Sequence, residues 1–326
     1  MKMRAAMIRR SRVSSCELPD DPEDLDSPEA IEAGSLTIEN DESKPVQNEL
    51  WERSPFYNLY ALPNDGSSVL RFEILTARMM PPHGEDLKVK RYVVYDLTVR
   101  LDSKFAADSR PAVIKRRYTD FRELYIKLRR DHPVLMSRID FPNKVLMGNF
   151  SATLIAERGA SFETFLNYIV NHEPLKQSPI FLHFLQNNEL TKACQLMDER
   201  NDSCVPILEN SFLLLNKIFM DRSKPVLLLL CRLVAACTSC TPMPHESAER
   251  WAALALNRYE TLSDIDLLPL YIPLLNTCAH LWWQQGHDQK PITDRLTDMS
   301  KKGISINNVP NLIQAIHKLD PRSETI

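Results

Sequence analysis

Residues 116–121 read Arg116-Arg117-Tyr118-Thr119-Asp120-Phe121, and Pro142-Asn143-Lys144 and Arg158 follow. Phe121, Leu124, Tyr125 and Leu128 fall at i, i+3, i+4 and i+7, the spacing of one helix face. Thr119 is a side chain able to cap that helix, which places Arg116 and Arg117 at the end of a strand just before a helix start. Strand alternation points these two arginines to opposite faces, so only one of them can share a site with Tyr118. An Arg-Arg-Tyr triplet alone is common; two further cations returning to the same region make a layout suited to phosphate.

With its surroundings the segment resembles the PX (phox-homology) domain of sorting nexins, the phosphoinositide-binding module of that family. The resemblance covers roughly residues 67–188. Its pieces occur in order: strand-like Val69 to Leu75, strand-like Arg91 to Leu101, the Arg-Arg-Tyr-Thr-Asp-Phe segment, the Phe141-Pro142-Asn143-Lys144 turn and the closing helices. The family turn usually carries two prolines before its lysine, and here the second is Asn143.

The 326 residues are 44% hydrophobic, enough for two ordinary domains, and only seven are glycine, which argues against glycine-loop nucleotide folds. Charge is unevenly spread. Residues 1–50 carry 6 basic and 12 acidic side chains, net −6, whereas residues 69–188 carry 19 basic and 13 acidic, net +6. A basic segment suits an anionic membrane or a nucleic acid, and from the count alone a solvated Lys/Arg face serves equally well. Residues 1–48 hold too few apolar side chains to offset the entropy of ordering and read as a disordered acidic tail. Trp51, Phe56, Tyr57 and Tyr60 are expected to pack on the edge of the domain that follows.

No run approaches the ~20 apolar residues that span a bilayer, since 226–237 is too short and contains Arg232. No apolar signal-peptide run follows the cationic amino terminus, and the seven scattered cysteines suggest reduced thiols in the cytosol. Cys237 and Cys240 form one C-x-x-C with only His245 nearby, a pattern that favours helix packing over zinc. No metal or cofactor is implied. Without His-Glu-x-x-His, Gly-x-Ser-x-Gly or a glycine-rich phosphate loop, the chain does not read as an enzyme.

Pro133 is expected to end the first helix near Arg130, with a loop running from Asp131 to about Ala152. Ser178 and Pro179 begin a helix carrying Phe181, Phe184 and Leu185. From Glu189 onward apolar residues recur at helical spacing, with expected helices at 204–219, 225–237, 247–262, 267–284, 291–301 and 309–319. Trp251-Ala252-Ala253-Leu254-Ala255 matches part of the tetratricopeptide pattern, though no 34-residue period is evident. The predicted fold is α+β: a disordered tail at 1–48, a PX domain at 49–188 with a three-stranded antiparallel sheet packed on helices, and an all-α tetratricopeptide-like domain at 189–326. The prolines at 225, 242, 244, 269, 273 and 291 argue against the long helices of a BAR domain. Trp251, Trp282 and Trp283 are expected in the core.

The resemblance also implies residue roles. Arg117 would take the 3-phosphate of phosphatidylinositol 3-phosphate, Tyr118 would lie against the inositol ring, Lys144 would bind the 1-phosphate and Arg158 would donate to the 4- and 5-hydroxyls. Beside Lys144, Leu146 and Met147 would insert into the membrane, while Val145 is the stronger candidate for the core. The implied protein is a cytoplasmic adaptor, peripheral on early endosome membranes, with protein partners on its helical domain. The competing reading is a basic nucleic-acid-binding protein with a helical interaction domain. Aromatic residues are not interleaved with the basic ones across an exposed sheet face, which disfavours it.

Overall fold

The computed structural model describes residues 2–4, 68–81, 91–103, 107–145, 148–219, 223–240, 242–260 and 268–319. Four strands form an antiparallel sheet in sequential order: β1 (Lys2–Arg4), β2 (Val69–Met80), β3 (Tyr92–Asp102) and β4 (Ala112–Arg117). The three longer strands are those expected from sequence; β1 adds a short edge opposite Thr76, Ala77 and Arg78. Trp51, Phe56, Tyr57 and Tyr60 lie outside the described residues, as does the rest of the acidic segment.

Strand β3 is buried between its neighbours, with Tyr95, Leu97 and Val99 inaccessible to solvent. Along β4 burial alternates strictly: Ala112, Ile114 and Arg116 face inward, whereas Val113, Lys115 and Arg117 face out. The register between β2 and β3 slips between Ile74 and Thr76, a bulge at Leu75.

Helix α1 (Tyr118–Asp131) follows β4 without a loop and buries Phe121, Leu124 and Leu128, three of the four residues of the predicted face. Its N-cap is Arg117, two residues earlier than Thr119. The backbone N–H of Arg117 donates to Asp120 Oδ2 at 2.7 Å, so the Asp120 carboxylate closes the helix start and Thr119 lies within the first turn. Pro133 ends α1 and then opens a short helix, α2 (Pro133–Met136), inside the stretch expected to be loop. Helix α3 (Ala152–Val170) is capped by the Ser151 hydroxyl and packs on β2. Its Phe162 stacks on Phe121 with ring centroids 3.9 Å apart and planes within 4°. This pair ties α1 to α3 over Tyr95.

After α4 (Glu173–Lys176), helix α5 (Pro179–Asp198) starts at the Ser178 cap, as expected, and runs unbroken past the 188/189 boundary suggested by the sequence. Six further helices follow: α6 (Cys204–Ile218), α7 (Lys224–Ser239), α8 (Ala248–Glu260), α9 (Leu268–Gln284), α10 (Lys290–Lys301) and α11 (Leu312–Leu319). Each falls within three residues of its predicted limits. Trp251 and Trp282 are core residues, but Trp283 is 64% exposed, stacked on His280 at 5.9 Å. One continuous core runs from the sheet into these helices. Helix α6 lies against β4, where Lys217 Nζ sits 2.7 Å from Asp108 Oδ2 and also reaches the Arg110 carbonyl. Burial works against the Asp108 carboxylate, but the Lys217 ammonium and the N–H groups of Leu101 and Arg110 outweigh it and hold the pKa below the usual range.

Candidate functional site: the β4–α1 junction

Arg116 and Arg117 divide at the end of β4 as alternation dictates. Arg116 is 2% exposed; its Nη1 and Nη2 each lie 2.7 Å from a Glu189 oxygen, and its Nε donates to the Phe184 carbonyl at 2.8 Å. These donors are spent inside the protein. Arg117 is exposed, and its guanidinium lies 3.6 Å from the centroid of the Tyr92 ring on β3. A planar cation stacked this way keeps its N–H edges free for an oxyanion, where a lysine would act only as a point charge.

Tyr118 opens α1 and is half-buried. Its hydroxyl donates to the Pro142 carbonyl at 2.9 Å, which ties the helix start to the loop carrying Lys144. Burial pushes the Tyr118 hydroxyl up, opposed by the charges of Arg158 and Arg122. Phe141 braces the loop, its ring 5.9 Å from Tyr118 and stacked on Tyr125 at 4.7 Å. These contacts supply rigidity that the missing second proline would otherwise give.

Arg158 comes from the second turn of α3 and is 4% exposed. Its guanidinium carbon lies 4.3 Å from the Tyr118 ring centroid, and its Nη2 donates to the Asn143 carbonyl at 3.3 Å and to Asn149 Oδ1 at 3.1 Å. Arg158 Nε and the Tyr95 hydroxyl are both buried without a hydrogen-bond partner among the described residues. Burial pushes the Tyr95 hydroxyl up, and the Arg158 charge beside it partly offsets this. Arg158 therefore braces the 142–149 loop from within.

The fold thus joins Tyr118, Arg158 and the loop bearing the exposed Lys144 by direct contacts, with Arg117 adjoining on the outer face of the sheet. Leu146 and Met147 lie outside the described residues; Val145, next to them, is half-buried. Sequence reasoning missed Tyr92, which carries Arg117, and Asn149, which links Arg158 to the Val145 carbonyl at 2.8 Å. Tyr92 had no local signal. Asn149 had a faint one, since it follows Gly148, whose φ of 76° favours glycine. Among the described residues no group of three or more His, Cys, Asp or Glu is arranged to hold a metal, and no helix is long and apolar enough to cross a membrane.

A family model for the PX domain matches residues 106–188. Human sorting nexin-21 is 29% identical over 252 residues, covering 76% of this chain and 64% of that protein. Bovine sorting nexin-20 is 30% identical over 236 residues, covering 70% of this chain and 69% of its own length. The X-ray structure of a designed CISK-PX domain aligns with 36% of this chain and 98% of its own at 23% identity and a TM-score of 0.29. The chain spans less than two thirds of the length of human sorting nexin-21, and about two thirds of bovine sorting nexin-20. The order β2–β3–β4–α1, the PX match over the junction, and the relationship to sorting nexin-20 over 70% of the chain lead to one conclusion: the chain belongs to the PX-domain sorting nexins.

Proposed function

We propose that the chain is a non-enzymatic adaptor of endosomal trafficking that docks on early endosome membranes through phosphatidylinositol 3-phosphate. Arg117 takes the 3-phosphate with its outward edge, and Lys144 the 1-phosphate. The inositol ring meets the face of Tyr118 not covered by Arg158, and Arg158 offers its remaining N–H edge to the 4- and 5-hydroxyls. Leu146 and Met147 enter the acyl region beside Lys144. The observation that carries this reading is the cross-bracing of the junction: Tyr118 to Pro142, Arg158 to Asn143 and Asn149, and Arg117 on Tyr92. Cations held in place before the ligand arrives lose less freedom on binding.

The polypeptide through α5 forms the docking unit, and α6 to α11 present a surface to cargo or trafficking partners. Weak head-group affinity with shallow insertion gives reversible docking, which a protein contact strengthens by raising effective concentration.

Liposome cosedimentation over a lipid panel tests the reading. Wild-type protein should pellet with vesicles containing phosphatidylinositol 3-phosphate, nuclease-treated or not, and Arg117→Ala should not. Charge-assisted hydrogen bonds contribute roughly 1.5–3 kcal/mol each, so a lost bidentate pair costs at least about tenfold in affinity. Unchanged binding by a normally folded Arg117→Ala would reject the site.

A further inference from the structure

We propose that Glu189 is a positioning residue for Arg117, so that lipid recognition depends on a helix segment beyond residues 106–188. The inference rests on the head-group reading above and adds a residue that the PX match does not reach. Its basis is the path of covalent and hydrogen bonds on either side of one peptide unit. On the inner side, both Glu189 oxygens lie 2.7 Å from Arg116 nitrogens. The Phe184 and Lys115 carbonyls each accept a further Arg116 N–H at 2.8 Å, and the Phe184 ring lies 5.3 Å from the guanidinium carbon. On the outer side, Arg117 is exposed, and among the described residues its guanidinium lies on one aromatic face, that of Tyr92.

The two side chains leave consecutive residues of one extended strand in opposite directions. Whatever fixes the inner arginine therefore fixes the direction in which the outer one leaves the backbone. Arg117 has φ −97° and ψ 164° and is also the N-cap of α1, so a twist at this residue moves both the cation and the helix start. Buried and held at four acceptors, Arg116 cannot adjust independently of the strand. Glu189 supplies the only carboxylate among those acceptors, and its side chain is 16% exposed. The other end of β4 and the chain leading into it are held by the next helix, through Asn210 at Val113 and Lys217 at Asp108. Glu189 thus completes a set of three anchors on β4 and the chain leading into it, and is the one next to the proposed phosphate-binding cation.

The test uses the full chain with Glu189→Gln, which keeps one acceptor and removes the fork. Two readouts are taken: the ring-current shift that Tyr92 imposes on the Arg117 side-chain protons, and affinity for water-soluble short-chain phosphatidylinositol 3-phosphate. We expect the shift to move toward the value of a free arginine and affinity to fall about five- to tenfold. Because removing one partner of a buried ion pair can unfold a protein, a second variant, Arg116→Met with Glu189→Met, replaces the pair by apolar side chains of similar length, a change often neutral for stability. It should show the same two losses. A folded variant whose Arg117 protons keep their wild-type shift overturns the proposal. If wild-type protein does not bind the soluble lipid, the head-group reading fails, and the Arg117 resonances still decide whether Glu189 sets that side chain.

Discussion

Asn210 on α6 grips both backbone groups of Val113 on β4: its Oδ1 accepts the Val113 N–H at 3.0 Å, and its Nδ2 donates to the Val113 carbonyl at 2.9 Å. A side-chain amide here imitates the next strand and closes a sheet edge that would otherwise be open to pairing with another chain. Asn210→Asp keeps the acceptor and loses the donor. It should lower unfolding free energy by about 0.5–1.5 kcal/mol and speed amide exchange at Val113, measured by denaturation and hydrogen exchange. Unchanged exchange at Val113 would show that α6 protects the edge by packing alone.

The other side of the sheet has a comparable device with a pH dependence. Glu163 Oε1 on α3 accepts the Ile74 N–H at 2.6 Å, and Asn167 Oδ1 accepts that of Phe72 at 3.3 Å. Burial raises the Glu163 pKa, opposed by the Ile74 hydrogen bond, and Glu73 nearby raises it further. A carboxyl whose folded pKa is raised contributes stability that is fully present below its unfolded pKa and is lost as pH rises through the folded value. Glu163→Gln keeps an acceptor without the charge. It should match or exceed wild-type stability at neutral pH and be relatively less stable in acid, as read from melting curves across pH. A variant less stable than wild type at neutral pH would mean that the charge is needed.

Arg158→Lys should uncouple charge from geometry. Lysine keeps the positive charge but cannot lie flat on Tyr118 while bonding both Asn143 and Asn149. We expect head-group affinity to drop about tenfold or more and amide exchange in 142–149 to accelerate, with the melting temperature less affected. Wild-type affinity in this variant would reduce Arg158 to a point charge.

Leu146→Asp with Met147→Asp tests membrane insertion. Burying each side chain in the acyl region contributes at most about 1.5–3 kcal/mol, so vesicle binding should weaken markedly while affinity for a soluble short-chain lipid stays near wild type. Equal losses in both assays would place these residues in support of the pocket.

Division of labour can be tested by cutting between α5 and α6. Residues 49–198 should fold and reach phosphatidylinositol 3-phosphate membranes, whereas 204–326 should remain off membranes and still capture the protein partners of the full chain. A helical fragment that reaches membranes alone would contradict the adaptor reading. The β4 edge exposed by the cut predicts that the first fragment self-associates unless Val113 is protected.

Much of this was legible because it depends on local periodicity. That Arg116 and Arg117 leave the strand on opposite faces follows from a two-residue repeat, and the start of α5 and the limits of α6 to α11 follow from a 3.6-residue repeat punctuated by proline and serine. The junction of Tyr118, Lys144 and Arg158 was reached through family resemblance, since spacing alone does not say that three separated segments converge.

Capping at the β4–α1 junction needed the tertiary structure. Thr119 is a good N-cap by residue type, yet Asp120 closes the helix from inside its first turn, because β4 runs straight into α1 and leaves no free residue before it. The exposure of Trp283, the Tyr92 platform under Arg117 and the Asn149 link to Arg158 likewise turn on which elements meet.

The sequence by itself determined the three long strands, most of the helices, the α+β order, the family resemblance and the divergence of two adjacent arginines to opposite faces, because each is written in neighbouring residues. Only the tertiary structure decided that Glu189 holds Arg116 across 73 positions and that Asn210 closes β4 across 97, and so that α5 and α6 brace the strand leading to the proposed lipid site. A carboxylate or amide finds its partner through the packing of whole elements, and that choice leaves no periodic trace along the chain.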